Sequence, residues 1–302
     1  AVALAIMSIC RPKDEIIVTD AVYAPTRMIT SKLLKEFNVK THFYNPESLE
    51  SLQSKINKKT KMIFVENPGS NTFEFQDLGK IVKLAKKRKI ITAIDNTWGT
   101  PLFIKPLKIG FDMSISSGTK YLSGHSDVML GSLCVNKRVY DKVRFCNKLL
   151  GYRASPDDAY LVLRGLRTLD VRLKKHQENT KKIISFLSKQ NKIKEILYPF
   201  KAGTSNYENW KRYYSGSSGL FSVVIQSKKR NSIYNFINSL KLFGIGQSWG
   251  GFESLALYQS HVIQRIYRKY LKPNNHIVRF HIGLEDPKDL IEDLGKAIKK
   301  IK

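Results

Sequence analysis

The chain has 302 residues, 42% of them apolar, enough to bury one large core or two moderate ones. Its formal net charge is +27, but the lysines run along the whole length instead of gathering in one arm or stripe, which argues against specific nucleic-acid recognition and leaves only nonspecific adhesion to polyanions. No apolar run reaches the length of a membrane span, and Cys10, Cys134 and Cys146 have no paired spacing, so a disulfide framework and a metal centre are both disfavoured and a reducing cytoplasm is expected.

The opening segment, Ala1 to Cys10, is apolar and short, with neither a basic n-region nor an initiator Met. It reads as the tail of a buried helix whose beginning is missing, not as a signal peptide. Strand-like and helix-like patterns then alternate. Glu15 to Thr19 reads as a strand, Thr26 to Phe37 as a helix and Val39 to Tyr44 as a strand. Leu49 to Ile56 is a short helix, Lys61 to Val65 a strand, Leu78 to Arg88 a helix and Ile90 to Ile94 a strand. Asp112 to Ser116 and Gly131 to Val135 add two more strands. This alternation predicts an α/β fold with a mostly parallel sheet covered by helices on both faces.

A single long helical stretch is expected from about Asp157 to Lys189, with a very basic polar face of the usual solvated kind. It links the first half to a smaller, mixed second half: strands at Leu220 to Ile225 and His276 to Ile282, helices at Ile233 to Leu242 and Lys288 to Ile301. The expected division is a large domain over 1–166 and a smaller α+β domain over 167–302, with no internal repeats or low-complexity linkers.

Two residues carry the chemistry. Lys120 sits in Ser117-Gly-Thr-Lys-Tyr121, and Asp95 follows the apolar strand Ile90 to Ile94. An amine able to form a Schiff base, paired with a carboxylate able to keep a pyridine nitrogen protonated, is what a pyridoxal phosphate (PLP) enzyme needs. The C-terminal edge of an open α/β sheet is where ligands bind. Taken singly, a lysine is ordinarily a solvated surface charge and a strand-ending Asp a helix cap or turn former. Their joint occurrence in this context favours the functional reading.

The wider sequence resembles the Cys/Met-metabolism family of PLP-dependent enzymes of fold type I. The resemblance runs from Ala1 to the end and is carried by Asp20-Ala-Val-Tyr-Ala-Pro-Thr-Arg27, Glu66-Asn-Pro-Gly-Ser70, Asp95-Asn-Thr-Trp-Gly-Thr-Pro101, Ser117 to Asp127, Ser248-Trp-Gly-Gly-Phe-Glu-Ser254 and Arg279-Phe-His-Ile-Gly-Leu-Glu-Asp286. Trp98 and Trp249 give most of its likeness to the bacterial cystathionine β-lyase subgroup. The resemblance implies a mostly parallel, seven-stranded-type sheet plus the smaller C-terminal domain.

It further implies that Lys120 carries PLP and acts on the substrate, that Asp95 pairs with the pyridine nitrogen, and that Tyr23 stacks on the ring and takes part in catalysis. Ser117 and Thr119 match phosphate-binding hydroxyls, and Ser70 stands near the ring hydroxyl. Arg279 matches the arginine that grips the substrate α-carboxylate, with Ser248 and Trp249 lining the same pocket. His125 has no matching role and reads as a structural hydrogen-bonding residue. The expected reaction is β-elimination of L-cystathionine to homocysteine, pyruvate and ammonia, by a homodimer-based homotetramer. In such enzymes an upstream region supplies a Tyr-x-Arg pair and a glycine-led helix start for the phosphate, and this sequence begins after it. The rivals are a γ-lyase or γ-replacing synthase of the same family, and a truncated remnant without activity.

Overall fold

The computed structural model describes residues 1–199 and 202–302. Among these, two sheets organise the chain. The first has the order β2-β1-β3-β4-β5-β6, built from β1 (Glu15–Thr19), β2 (Lys40–Tyr44), β3 (Thr60–Glu66), β4 (Ile91–Asp95), β5 (Met113–Ser117) and β6 (Gly131–Val135). All neighbours pair in parallel except β5 and β6. The sheet thus has the mostly parallel, helix-flanked architecture expected, with six strands in place of a seven-stranded type. The second sheet is antiparallel in the order β7-β8-β10-β9, from β7 (Ile193–Leu197), β8 (Leu220–Gln226), β9 (Leu255–Tyr258) and β10 (Asn275–His281).

The central residues of strands β1, β3 and β4 are mostly apolar because both faces are covered. Ile17, Ile63 and Ile94 face one side and join a core that continues through Trp98 to Phe221, Phe280 and Leu290 of the second half. Ile16, Val18, Phe64 and Ala93 face the other, beneath Leu4, Ala5 and Ile6 of the first helix, Val2–Met7, and Val139 and Val143 of the helix Lys137–Leu150. The helix Leu78–Lys87 shows how sequence makes such cover. The Asp77 side chain caps its start by accepting from Lys80 N, and Leu78, Ile81, Val82 and Ala85 fall on one buried stripe.

The predicted helix at Thr26 to Phe37 runs as Ala24–Met28, a π-helical turn at Ile29–Leu33, and Leu34–Glu36. The single stretch expected from Asp157 to Lys189 is two helices, Pro156–Leu166 and Leu169–Leu187. Between them Thr168 N bonds to Gly165 O in a tightened turn, and the buried Arg172 guanidinium takes the same carbonyl at 2.7 Å while reaching Tyr121 O at 2.9 Å. The carbonyl is drawn out of the regular ladder, so the helix restarts. The structure also contains elements without a sequence counterpart above: the helices Lys137–Leu150 and Ser205–Tyr213 and the strands β7 and β9. The helices expected at Ile233 to Leu242 and Lys288 to Ile301 lie at Arg230–Asn238 and Pro287–Ile298.

Candidate active site

A cavity of about 610 Å³ opens at the C-terminal edge of the first sheet, against the second. Its lining gathers Tyr23, Ser70, Asp95, Ser117, Thr119, Lys120, Trp249 and Arg279, which is every site residue singled out from the sequence except Ser248. Ser248, an exposed residue, touches the cavity through Lys120: its Oγ accepts from Lys120 Nζ at 2.7 Å. His125 turns aside, with Nδ1 2.7 Å from Ser123 O.

Asp95 closes β4, and Thr97 clasps one of its oxygens: Oδ1 accepts from Thr97 N at 2.9 Å and from Thr97 Oγ1 at 2.6 Å. The Thr97 hydroxyl accepts in turn from Ser117 N at 2.9 Å, tying the end of β4 to the end of β5. Oδ2 of Asp95 has no hydrogen bond among the described residues. Burial pushes the Asp95 carboxyl up, and the Thr97 bonds and the Lys120 charge pull the other way.

Lys120 lies in the turn Gly118–Leu122 directly after β5, where its own backbone departs from helical dihedrals at φ −91 and ψ −131. Its Nζ is 5.3 Å from the ring centroid of Trp249, a cation–π arrangement. Desolvation, and then the Arg279 charge, lower the ammonium pKa to about 8. The loop bearing Trp249 approaches closely because Gly250 has φ +88 and no side chain; a Cβ there would sit 2.8 Å from Tyr121 N.

Arg279 projects from β10, and its guanidinium is buried without an ion-pair partner among the described residues. Nη2 donates to the carbonyls of Gln247 at 2.9 Å and Ser248 at 3.3 Å, fixing its pose. Burial lowers its pKa to about 10, with Tyr23 acting in the opposite sense. A buried, uncompensated guanidinium in a cavity wall is a receptor for a carboxylate. Trp98 forms an apolar wall, its Nε1 donating to Leu220 O at 2.9 Å and its ring set edgewise against Phe75 and Tyr214.

Thr97 and Glu66 are functional neighbours that sequence reasoning passed over. Thr97 had a usable signal, a hydroxyl two residues after a strand-ending Asp, the spacing of a local side-chain clasp. Glu66 ends β3, paired in register with Asp95, and its Oε2 accepts from Tyr23 N at 2.6 Å. Only strand register brings it to the cavity.

Residues 1–299 match the family described as Cys/Met metabolism PLP-dependent enzyme. The cystathionine beta-lyase of Haemophilus influenzae is 38% identical over 307 residues, covering 100% of this chain and 77% of that protein. The cystathionine gamma-lyase of Mus musculus is 35% identical over 305 residues, covering 99% of this chain and 76% of its own. The crystal structure of cystathionine gamma synthase from Xanthomonas oryzae pv. oryzae superposes with a TM-score of 0.93 at 28% identity, over 99% of this chain and 78% of that one.

Proposed function

The chain belongs to the Cys/Met metabolism PLP-dependent enzymes, and we propose that within them it is a carbon–sulfur lyase that cleaves L-cystathionine by β-elimination to homocysteine, pyruvate and ammonia. The observation that carries this reading is the placing of Lys120, with a lowered pKa, in one cavity with an unpaired Arg279 and a strand-ending Asp95. The β-specific part draws on Trp98 and Trp249 in the cavity wall and on the beta-lyase likeness.

The residues present fit PLP. Among the described residues Asp95 Oδ2 has no donor, as a partner for a ring N–H requires; Ser117 offers a hydroxyl for the phosphate, and Thr119 another, which also accepts from Leu130 N at 3.0 Å; Tyr23 offers a half-exposed aromatic face; Ser70 stands by for the ring hydroxyl. Lys120 would hold the cofactor covalently. When bound, PLP supplies an electron sink for the substrate Cα.

The chain's own groups do the rest. Arg279 grips the α-carboxylate with two parallel N–H bonds, which fixes the orientation of Cα. Lys120, released as a free amine, is partly unprotonated near neutrality and removes the Cα proton. The Cβ–S bond breaks, and Lys120 returns the proton to the departing sulfur, giving the homocysteine thiol. Water then converts the three-carbon enamine to pyruvate and ammonia. Ser248 steers Nζ through its hydrogen bond, and Trp249 and Trp98 keep water from the reacting atoms.

The domain boundary we adopt falls at the helix break around Arg167. A homo-oligomer is also part of the proposal: Phe145, Leu149, Tyr160 and Val171, each at least half exposed, crowd the helices on either side of Gly151 and the start of the next.

The test is product analysis with L-cystathionine and added PLP. Pyruvate supports the β-lyase. 2-Oxobutyrate moves the chain to γ-elimination, the reading that the mouse gamma-lyase relative favours. Neither product, with no visible absorbance from bound PLP, marks an inactive remnant.

A further inference from the structure

The cavity has a second carboxyl, from Glu66, that the reaction above does not use. Glu66 and Asp95 end adjacent parallel strands and are direct partners in their register, so both side chains emerge at the same edge and line the same cavity. Two carboxylates in neighbouring strands at one site cannot both ionise cheaply. Their hydrogen bonds are unequal. Asp95 receives two from Thr97, a backbone N–H and a hydroxyl, which favour its charged form. Glu66 receives one backbone N–H, from Tyr23 at 2.6 Å, with a smaller contribution from the Ser70 side chain, and is in no ion pair among the described residues.

We infer that Glu66 is a positioning residue: it fastens the Tyr23 backbone at the cavity mouth as an uncharged acid, leaving Asp95 as the single negative charge on the cavity floor. The inference rests on the PLP reading, since Tyr23 is the aromatic face offered to the ring. The surroundings agree. The groups facing Glu66 are Asp95 from β4, Tyr23 ahead of the helix Ala24–Met28, Ser70 after β3 and Arg265 from the segment after β9. Burial, and then the Asp95 charge, raise its pKa well above the carboxylate range against the smaller pull of the other three. Tyr23 needs such an anchor. Its side chain is 52% exposed, so packing alone does not hold it, and it stands at the N-cap of its helix without a side-chain cap.

The test compares wild type with Glu66→Gln, which keeps an oxygen acceptor and no charge, and with Glu66→Ala, which removes the anchor. PLP binding is followed by the visible absorbance of the bound cofactor across pH. Glu66→Gln is expected to leave the pH midpoint of that band unchanged, and Glu66→Ala to weaken PLP binding about tenfold. A midpoint that falls in Glu66→Gln would reveal a lost negative charge and overturn the uncharged assignment; Glu66→Ala binding PLP as tightly as wild type would overturn the anchoring role.

A cofactor-free arm separates this inference from the PLP reading. Urea unfolding of wild type and Glu66→Gln is measured over a pH series without PLP. A buried acid that keeps its proton in the folded state destabilises the fold progressively as pH rises above the unfolded carboxyl pKa, whereas Gln does not titrate. The stability difference in favour of Glu66→Gln therefore widens with rising pH. A difference flat in pH overturns the assignment even if the protein binds no PLP at all, and a widening one upholds it.

Discussion

Thr97 donates twice to one oxygen of Asp95, from its backbone N at 2.9 Å and its hydroxyl at 2.6 Å. This clasp favours the charged carboxylate in a place where burial opposes charge. Thr97→Val keeps the branched shape and loses the hydroxyl bond to an ionised acceptor, worth about 1.5–3 kcal/mol. PLP affinity, read by titrating the visible band, is expected to fall about ten- to hundredfold. Because Ser117 N loses its acceptor too, the ends of β4 and β5 loosen together, and a melting scan should register it.

Lys120 sets the acid limb of the rate. With an ammonium pKa of about 8 for the amine once the substrate has displaced it, kcat should climb as pH rises through that value, since in the proposed reaction only the free amine removes a proton. Lys120→Arg stays protonated throughout and should lose about 10²- to 10⁴-fold in turnover; neither it nor Lys120→Ala can hold the cofactor covalently, so both should lose the visible band. A variant of either kind with wild-type turnover would remove Lys120 from the mechanism.

Arg279→Lys keeps the charge but gives up the fork that makes two parallel bonds. The expected loss in kcat/KM is about 10²-fold, with KM rising more than kcat falls, because in the proposed role the guanidinium holds the substrate carboxylate before and during reaction. Steady-state kinetics with L-cystathionine separates the two constants. A change confined to kcat would mean that Arg279 does not bind the ground-state carboxylate.

Acid should weaken this fold through two histidines. His176 and His281 are buried with ring centroids 5.2 Å apart, and each has Nδ1 on a backbone carbonyl, Ile282 O at 2.7 Å and Glu253 O at 3.0 Å. Burial lowers the His176 pKa to about 4 and drives His281 well below the ordinary value, helped by His176, Arg279 and Lys120. The unfolded chain takes up these protons near about pH 6.5 and the folded one resists, so their share of stability is complete above that pH and lost as pH falls. The expected slope is about 1.4 kcal/mol per pH unit for each histidine below about 6.5. In chemical denaturation the double variant His176→Asn/His281→Asn should show a flatter pH dependence there.

The strands and the candidate site residues that the fold brings into one cavity were legible because each left a local mark. Short, mostly apolar runs announced β1, β3 and β4, and Asp95 and Lys120 stand at or just after strand ends that a reader can find. Arg279 stood out as a charge inside the apolar strand β10. The helix Lys137–Leu150 did not, because it buries only Val139 and Val143 and is otherwise polar or exposed. Strands β7 and β9 are short and half-exposed, so their alternation is faint. The break between Leu166 and Leu169 depends on Arg172 reaching the carbonyls of Tyr121 and Gly165, a tertiary contact absent from any local pattern. Glu66 was hidden for the same reason: nothing in Glu66-Asn-Pro-Gly-Ser70 says which strand lies beside it.

Lys120 hangs from the end of β5 and Arg279 from the middle of β10, in sheets that have no strand in common. On the proposed reading, an α-amino acid whose carboxylate is held by Arg279 and whose amine takes the place of Lys120 on the cofactor seated against the first sheet is therefore a rivet across the seam between them. Each turnover sets that rivet and removes it. The two sheets should melt more nearly as one body when a non-reacting amino acid occupies the cavity than when it is vacant, and the enzyme's resistance to heat becomes a gauge of how much substrate surrounds it.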